Sequence, residues 1–96
     1  MATQTMAREL GRDGIRVNVV VPGFVDGPSL RKTLEDSAAR RGMTTEQALV
    51  EINREVPLGR LPTSADIADA IAFLVSDRAR STTGQMLDVN GGRWFA

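Results

Sequence analysis

The sequence predicts an α/β fold built around a pair of parallel strands, and three observations support this prediction. Residues 15–21 alternate apolar side chains, and Val20 adds one on the opposite face, which is typical of a strand buried in a parallel sheet. An apolar helix is predicted over 64–76, and a second short strand over 85–90. A strand, a helical crossover and another strand indicate a parallel pair joined right-handedly.

The chain begins within a predicted helix over residues 2–10. Ala2, Met6 and Leu10 recur at one-turn intervals, so they share one face of that helix. Gly11 follows, and glycine suits the left-handed position at which many helices end. We therefore expect Gly11 to end this helix in the left-handed conformation.

Two polar, amphipathic helices are predicted between the strands, within residues 28–56. Pro28 suits the first position of a helix, because the N–H that proline lacks has no helical partner there, and Gly42 suits its end. Thr44 and Gln47 have the spacing of a capping box, which indicates the start of the second helix.

The predicted elements do not make a closed sheet. Thr63 and Asp66 repeat the cap spacing before the apolar helix, which is the main cover available to the first strand. Two strands, one of which needs cover on both faces, leave edges and faces exposed. We therefore predict that residues 1–96 form a single partial domain, a piece of a larger doubly wound sheet, with residues 28–56 as an insertion.

The composition excludes several classes of partner. The chain carries 12 basic and 12 acidic residues, so no net field attracts nucleic acid or anionic lipid. It has no cysteine, which excludes disulfides and thiolate metal sites. No apolar run has the length of a membrane span, and residues 1–14 lack the core of a signal peptide. A cytoplasmic location is the default expectation.

Few of the residue types that carry acid–base catalysis near pH 7 are present, and only carboxylates and Lys32 could serve. The sequence has no His, Cys or Tyr, and its single Lys is Lys32. A serine or threonine nucleophile would lack the imidazole base that usually activates it. We therefore predict no catalytic residue, no metal site and no turnover by this chain on its own.

Eight short segments, in their order and spacing, carry a resemblance to a known family. They are Ala7-Arg8-Glu9-Leu10-Gly11, Gly14-Ile15-Arg16-Val17-Asn18, Val21-Pro22-Gly23, Pro57-Leu58-Gly59-Arg60, Asp66-Ile67-Ala68, Phe73-Leu74-Val75-Ser76-Asp77, Thr83-Gly84-Gln85 and Val89-Asn90-Gly91-Gly92. Together they resemble the short-chain dehydrogenase/reductase (SDR) family, across essentially the whole chain.

The resemblance implies a role for each part of the chain. The fold would be the C-terminal portion of a Rossmann-type doubly wound parallel sheet, with residues 28–56 as the substrate lid. The cofactor would be NAD or NADP, and the intact enzyme would transfer hydride between nicotinamide and a small-molecule alcohol or ketone. The family's phosphate-binding glycine loop and its catalytic Asn, Ser, Tyr and Lys would precede Met1.

Pro22-Gly23 is the segment that most strongly indicates a binding site. Open α/β sheets bind ligands at the carboxyl ends of their strands, although a Pro-Gly pair also simply ends a strand. By resemblance, Pro22 and Gly23 lie against the nicotinamide, and the backbone of Val25 contacts its carboxamide. The family often has a cofactor-contacting Thr where Gly27 stands, so either Ser29 makes that contact or it is lost.

Other features favour structural roles or association. Asn18, Arg60 and the Gly91-Gly92 turn are expected to be structural, and Trp94 and Phe95 to be buried in a core or an interface. The expected partner is another copy of the chain or the missing N-terminal half. The alternative function is a non-catalytic, self-associating module derived from this family. A helix-turn-helix at Arg40-Arg41-Gly42 is disfavoured by the balanced charge.

Overall fold

The computed structural model describes residues 2–94. It contains the four helices and two strands that the sequence predicts. They are α1 (Ala2–Leu10), β1 (Val19–Pro22), α2 (Pro28–Arg41), α3 (Thr45–Arg54), α4 (Ser64–Val75) and β2 (Met86–Val89), with short 3-10 turns at Gly11–Asp13 and Asp77–Ala79.

The two strands pair in parallel, as predicted. Val19 lies opposite Met86 and Pro22 lies opposite Val89, and α4 packs on both strands. The fold is therefore an α/β arrangement with a parallel two-stranded sheet. Among residues 2–94, no helix is long and apolar enough to cross a membrane.

Strand β1 is shorter than the predicted strand over 15–21. The N–H of Val17 donates to Thr83 Oγ1 at 3.0 Å, and the N–H of Gln85 donates to Asn18 Oδ1 at 3.1 Å. Before Val19 these side-chain acceptors accompany a single backbone bond, from the Gly84 N–H to the Val17 carbonyl at 2.7 Å. The regular ladder begins only where the Val19 N–H donates to the Gln85 carbonyl at 2.9 Å.

The prediction that Gly11 ends the first helix in the left-handed conformation is wrong. The chain continues through the 3-10 turn at Gly11–Asp13, and the left-handed residue is Gly14, with φ of 73°. The Gly14 N–H donates to the Gly11 carbonyl at 3.0 Å, which closes this extra turn. The α-helix itself ends at Leu10, as predicted, and only the left-handed residue lies one 3-10 turn beyond the expected Gly11.

Helices α2 and α3 form a hairpin, here called the lid hairpin (residues 28–54) after the role that the family resemblance implies for this segment. The predicted capping box is present: the Gln47 N–H donates to Thr44 Oγ1 at 3.1 Å, and the Thr44 N–H donates to Gln47 Oε1 at 2.8 Å. The hairpin has its own small core of three buried residues, Leu34, Ala38 and Ala48, with partly buried apolar side chains around them.

The two packed regions leave an extended molecule. The radius of gyration is 17.1 Å and the extents are 57 × 24 × 21 Å, whereas a compact chain of this length has a radius of about 12–13 Å. The valines of β1 are only half-buried, and Val75 on α4 is 74% exposed. The sheet therefore presents uncovered apolar surface.

We expect the lid hairpin to be the most mobile described region. Its core is small, and α2 and α3 pack on each other but hardly on the sheet. Few buried contacts make local opening less costly. Amide hydrogen exchange should be faster in 30–54 than in residues 19–21 and in α4, which serves as a helical control. Equal protection of the hairpin and residues 19–21 would contradict this expectation.

Candidate functional site

The candidate site lies where β1 and β2 end side by side. The Gly23 N–H donates to the Val89 carbonyl at 3.1 Å, which brings the turn after β1 against Asn90. A Cβ atom at Gly23 would lie 2.7 Å from Asn90 Cβ and 3.4 Å from Trp94 Cζ2. A glycine is therefore required at this position, because a side chain there would push the two strand ends apart.

Val25 lies in the middle of the turn and its backbone is free. Within residues 2–94, neither its N–H nor its carbonyl has a hydrogen-bond partner. The residues on both sides are held: Gly23 bonds to Val89, and the Asp26 N–H donates to the Pro62 carbonyl at 2.8 Å. The turn thus presents the free N–H and the free carbonyl of one residue on a fixed backbone, which suits recognition of an amide-like group.

Asp26 joins the turn to the lid hairpin. Its carboxylate accepts two hydrogen bonds from Arg31, at 2.8 Å from Nε and 3.1 Å from Nη2, and Arg31 also reaches Glu46 at 3.5 Å. The Arg31 guanidinium holds the pKa of the Asp26 carboxyl below its usual range, because its hydrogen bonds favour the charged form. The first turn of α2 is therefore tied to the residue next to Val25.

Gly27 stands where the family resemblance leads us to expect a threonine, so no side chain is available there to contact a cofactor. Gly27 is the N-cap of α2, with extended φ of −164° and no side-chain cap. Ser29 is exposed on the first turn of α2. Whether Ser29 contacts a cofactor stays a prediction, as do the cofactor roles of Pro22, Gly23 and Val25.

The segment after β2 supports the turn, and the structure confirms its expected close approach to the chain. The Leu58 N–H donates to the Gly91 carbonyl at 3.1 Å. Asn90 is buried; its Nδ2 donates to the Trp94 carbonyl and its Oδ1 accepts from the Gly92 N–H, each at 2.8 Å. The sequence analysis missed this role of Asn90, although an Asn before a Gly-Gly pair is a turn signal.

Arg93 is the second residue that sequence reasoning missed. Its guanidinium bonds to Glu55 at 2.6 Å and lies over the Phe24 ring, 4.4 Å from the ring centroid. It also lies 5.3 Å from the centroid of Trp94, and the Phe24 and Trp94 rings meet edge to face at 6.5 Å. No local pattern signals these contacts, since Glu55 and Phe24 are distant in the sequence.

Trp94 packs in this cluster but stays 45% exposed. It is therefore only partly consistent with the expected core or interface role. Phe95, the other aromatic residue of that expectation, lies outside the described residues.

The remaining polar predictions are confirmed as structural. Asn18 Nδ2 donates to the Thr82 carbonyl at 3.0 Å, and Arg60 pairs with Asp66 at 3.0 Å on the surface. The Thr63 backbone N–H, and secondly Arg60, hold the pKa of the Asp66 carboxyl below its usual range. Arg16, to which no role was assigned, donates to three backbone carbonyls. Leu74 lies in the last turn of α4, and Ser76 and Thr82 follow that helix.

Among the described residues, neither a metal cluster nor the groove along β1 and α4 coincides with the turn. Among residues 2–94, no three His, Cys, Asp or Glu side chains come together. A groove of about 660 Å³ lies along β1 and α4, lined mostly by apolar side chains such as Val17, Val20 and Leu74. This groove is uncovered sheet surface. The candidate site is recognised instead by the free backbone N–H and carbonyl of Val25 at the strand ends.

Comparison with known proteins places the chain in a family. A family model described as enoyl-(acyl carrier protein) reductase matches residues 1–93. The 3-oxoacyl-(acyl-carrier-protein) reductase FabG of Escherichia coli (strain K12) is 40% identical over 93 residues, which are 97% of this chain and 34% of that protein.

Two solved structures agree with this placement. A short chain dehydrogenase family protein from Francisella tularensis superposes with a TM-score of 0.87 at 33% identity, covering 96% of this chain and 38% of that one. An actinorhodin polyketide ketoreductase solved with NADPH gives a TM-score of 0.81 at 35% identity, over 96% of this chain and 35% of that one.

The chain belongs to the short-chain dehydrogenase/reductase family. It spans about a third of the length of the curated relatives it matches. Its fold is accordingly a portion of a Rossmann-type α/β fold, as the sequence predicts.

Proposed function

We propose that this chain forms the nicotinamide-side, C-terminal part of an NAD(P)-dependent oxidoreductase. In the complete catalytic unit, hydride passes between nicotinamide and an alcohol or ketone carbon. The upstream part of that unit supplies the phosphate loop and the acid–base residues, since this chain has no His, Cys or Tyr and its single Lys, Lys32, is exposed on α2. The presence of NADPH in the related ketoreductase supports a nicotinamide cofactor, without deciding between NAD and NADP.

One observation carries this proposal: the unpaired backbone of Val25 lies on a fixed turn at the carboxyl ends of two parallel strands. The backbone of Val25 offers one free donor and one free acceptor, which matches the carboxamide of nicotinamide. The flanking bonds of Gly23 and Asp26 hold the peptide in place before any ligand arrives, so little ordering entropy remains to be lost on binding.

The lid hairpin has the position that a substrate cover needs. It begins directly after the turn, at Pro28, and the Arg31–Asp26 pair ties its first helix to the turn. Most charged side chains of the hairpin are exposed to solvent, so they give no indication of the substrate. We propose that the hairpin closes over a small alcohol or ketone bound next to the nicotinamide.

A hybrid enzyme tests the function. The upstream two-thirds of the E. coli reductase would be joined to residues 1–96, and turnover of a 3-oxoacyl thioester measured with NADH and NADPH. The hybrid should turn over with one or both cofactors, whereas the chain alone should give no turnover above a heat-treated control.

Two substitutions at one position then test the peptide contact. Val25→Pro removes the N–H and should raise the KM for the cofactor at least about tenfold, in line with the loss of a buried hydrogen bond. Val25→Ala keeps the N–H and should change the KM less than about threefold. If both variants of a folded hybrid have the cofactor KM of the parent, the role of Val25 is refuted. Turnover by the chain alone would refute the proposal that the upstream part supplies the acid–base residues.

The uncovered apolar surface of the sheet favours a second candidate, a non-catalytic module that associates with its own copies. It predicts a tight oligomer with no affinity for either nicotinamide cofactor, and a hybrid that folds but does not turn over.

A further inference from the structure

Arg93 is unusually enclosed for an arginine near the end of a chain. Its side chain is only 19% exposed, although arginine is rarely buried unless it is paired. Its partners come from three separate parts of the molecule: the turn after β1, the end of α3 and the residues after β2. A side chain with this many distant contacts restrains the elements that it joins.

The contacts to Phe24 and Trp94 hold the guanidinium by stacking, in addition to its hydrogen bond to Glu55. Nη2 bonds to Glu55, but the buried Nη1 has no partner among the described residues. The guanidinium instead lies over the faces of the two rings, at 4.4 and 5.3 Å from their centroids. Such cation–π contacts favour a planar arginine over lysine, whose charge is a hydrated point.

The residues on both sides of Val25 are each held by an arginine. Phe24 lies under Arg93, and Asp26 is bonded to Arg31. Each arginine also reaches the lid hairpin, because Arg31 belongs to the first turn of α2 and Arg93 bonds to Glu55, the C-cap of α3. The two ends of the hairpin are therefore linked to the two residues that flank Val25.

We propose that Arg93 is a positioning residue that fixes the Phe24–Val25 backbone and links its conformation to the lid hairpin through Glu55. Its relevance to cofactor binding rests on the proposed function, whereas its effect on the turn does not. Loss of Arg93 frees the Phe24 ring and leaves Arg31–Asp26 as the ion pair that holds the turn to the hairpin.

The turn itself provides the first readout, in the full chain without a cofactor. Arg93→Ala should speed amide exchange several-fold in a peptide covering 23–27, which contains the bonded N–H groups of Gly23 and Asp26. Exchange in α4 should not change. Arg78→Ala, an exposed arginine far from the turn, is the matched control and should leave both regions as in the parent.

The single tryptophan provides the second readout. Arg93→Ala should increase quenching of Trp94 fluorescence by acrylamide, because the guanidinium no longer covers the ring. Arg93→Lys should restore the exchange rate of 23–27 only in part, since it keeps a charge for Glu55 but loses the stacked plane. Unchanged exchange and quenching in Arg93→Ala would overturn the proposal. A uniform rise in exchange throughout the chain would also overturn it, because it would reveal a general loss of stability.

The hybrid enzyme separates this proposal from the proposed function. In an active hybrid, Arg93→Ala should raise the KM for the cofactor more than about threefold and leave kcat less affected. An active hybrid with an unchanged cofactor KM would overturn the positioning role while the proposed function stands. An inactive parent hybrid would count against the proposed function, and the exchange of 23–27 would still decide whether Arg93 fixes the turn.

Discussion

At micromolar concentration, the purified chain should sediment as an oligomer or as an associating mixture. The physical reason is the uncovered sheet: the β1 valines are half-buried, Ile15 is 47% exposed, and one edge of β1 has no strand beside it within the described residues. Unpaired backbone groups at such an edge recruit another chain, and exposed apolar side chains add a favourable burial term.

The magnitudes support this expectation. Full burial of Ile15, Val17 and the valines at 19–21 is worth about 7–15 kcal/mol in gross terms, at about 1.5–3 kcal/mol for each side chain. The net stability of a domain is only about 5–15 kcal/mol. A chain that leaves about half of that surface exposed to water loses much of its free energy of unfolding. Association with a second copy or with an upstream half is then the more stable state.

Sedimentation over a hundredfold range of concentration measures this association. Val75→Lys, on the exposed face of α4, should weaken it. Val50→Lys, at an apolar position of the lid hairpin that is 49% exposed, is the control and should not. A monomer that is independent of concentration and melts in one sharp transition would show that the chain closes its own core, and that its treatment as a partial domain is wrong.

Gly91→Ala should destabilise the chain by about 2–5 kcal/mol. Gly91 has φ of +70°, which costs an L-residue about 1–2 kcal/mol. The added Cβ would also overlap Val56 Cγ1 and lie 2.9 Å from the Arg60 carbonyl oxygen. Val56 is only 3% exposed and has little room to move, so overpacking adds about 1–3 kcal/mol.

Thermal or urea denaturation, followed by circular dichroism at equal protein concentration, checks this value. Gly27→Ala is the matched control, because Gly27 has an ordinary extended φ and nothing lies within 4 Å of its added Cβ. Its replacement should cost only about 0.5–1 kcal/mol, the loss expected when alanine replaces glycine at a helix N-cap. If the two alanine variants unfold at the same midpoint, the close approach of Gly91 to Val56 does not exist in solution.

Much of the secondary structure was predictable because its signals are local. The caps at Thr44 and Thr63 depend on residues three positions away, and Gly42 ends α2 in the left-handed conformation as expected. The family segments were recognisable for the same reason, since each is a short run at a set spacing. The limits of β1 were less predictable, because they depend on where the Thr83 and Asn18 side chains accept backbone hydrogen bonds.

The candidate site was predictable only in part. Pro22-Gly23 marks the end of β1, so the turn was found from the sequence together with the family resemblance. What the sequence could not reveal is that Gly23 touches Asn90, or that Asp26 accepts two hydrogen bonds from Arg31. These contacts fix the backbone on both sides of Val25, whose own N–H and carbonyl remain free.

By itself, the sequence determined the α/β class, the order of the elements, the helix caps, the family, and the absence of His, Cys and Tyr. Each of these depends on composition or on residues a few positions apart. The tertiary structure decided the register of β1 against β2, the separation of the lid hairpin from the sheet, and the placement of Arg93 between Phe24 and Glu55. Such contacts join residues dozens of positions apart, and only the folded path of the backbone brings them within bonding distance.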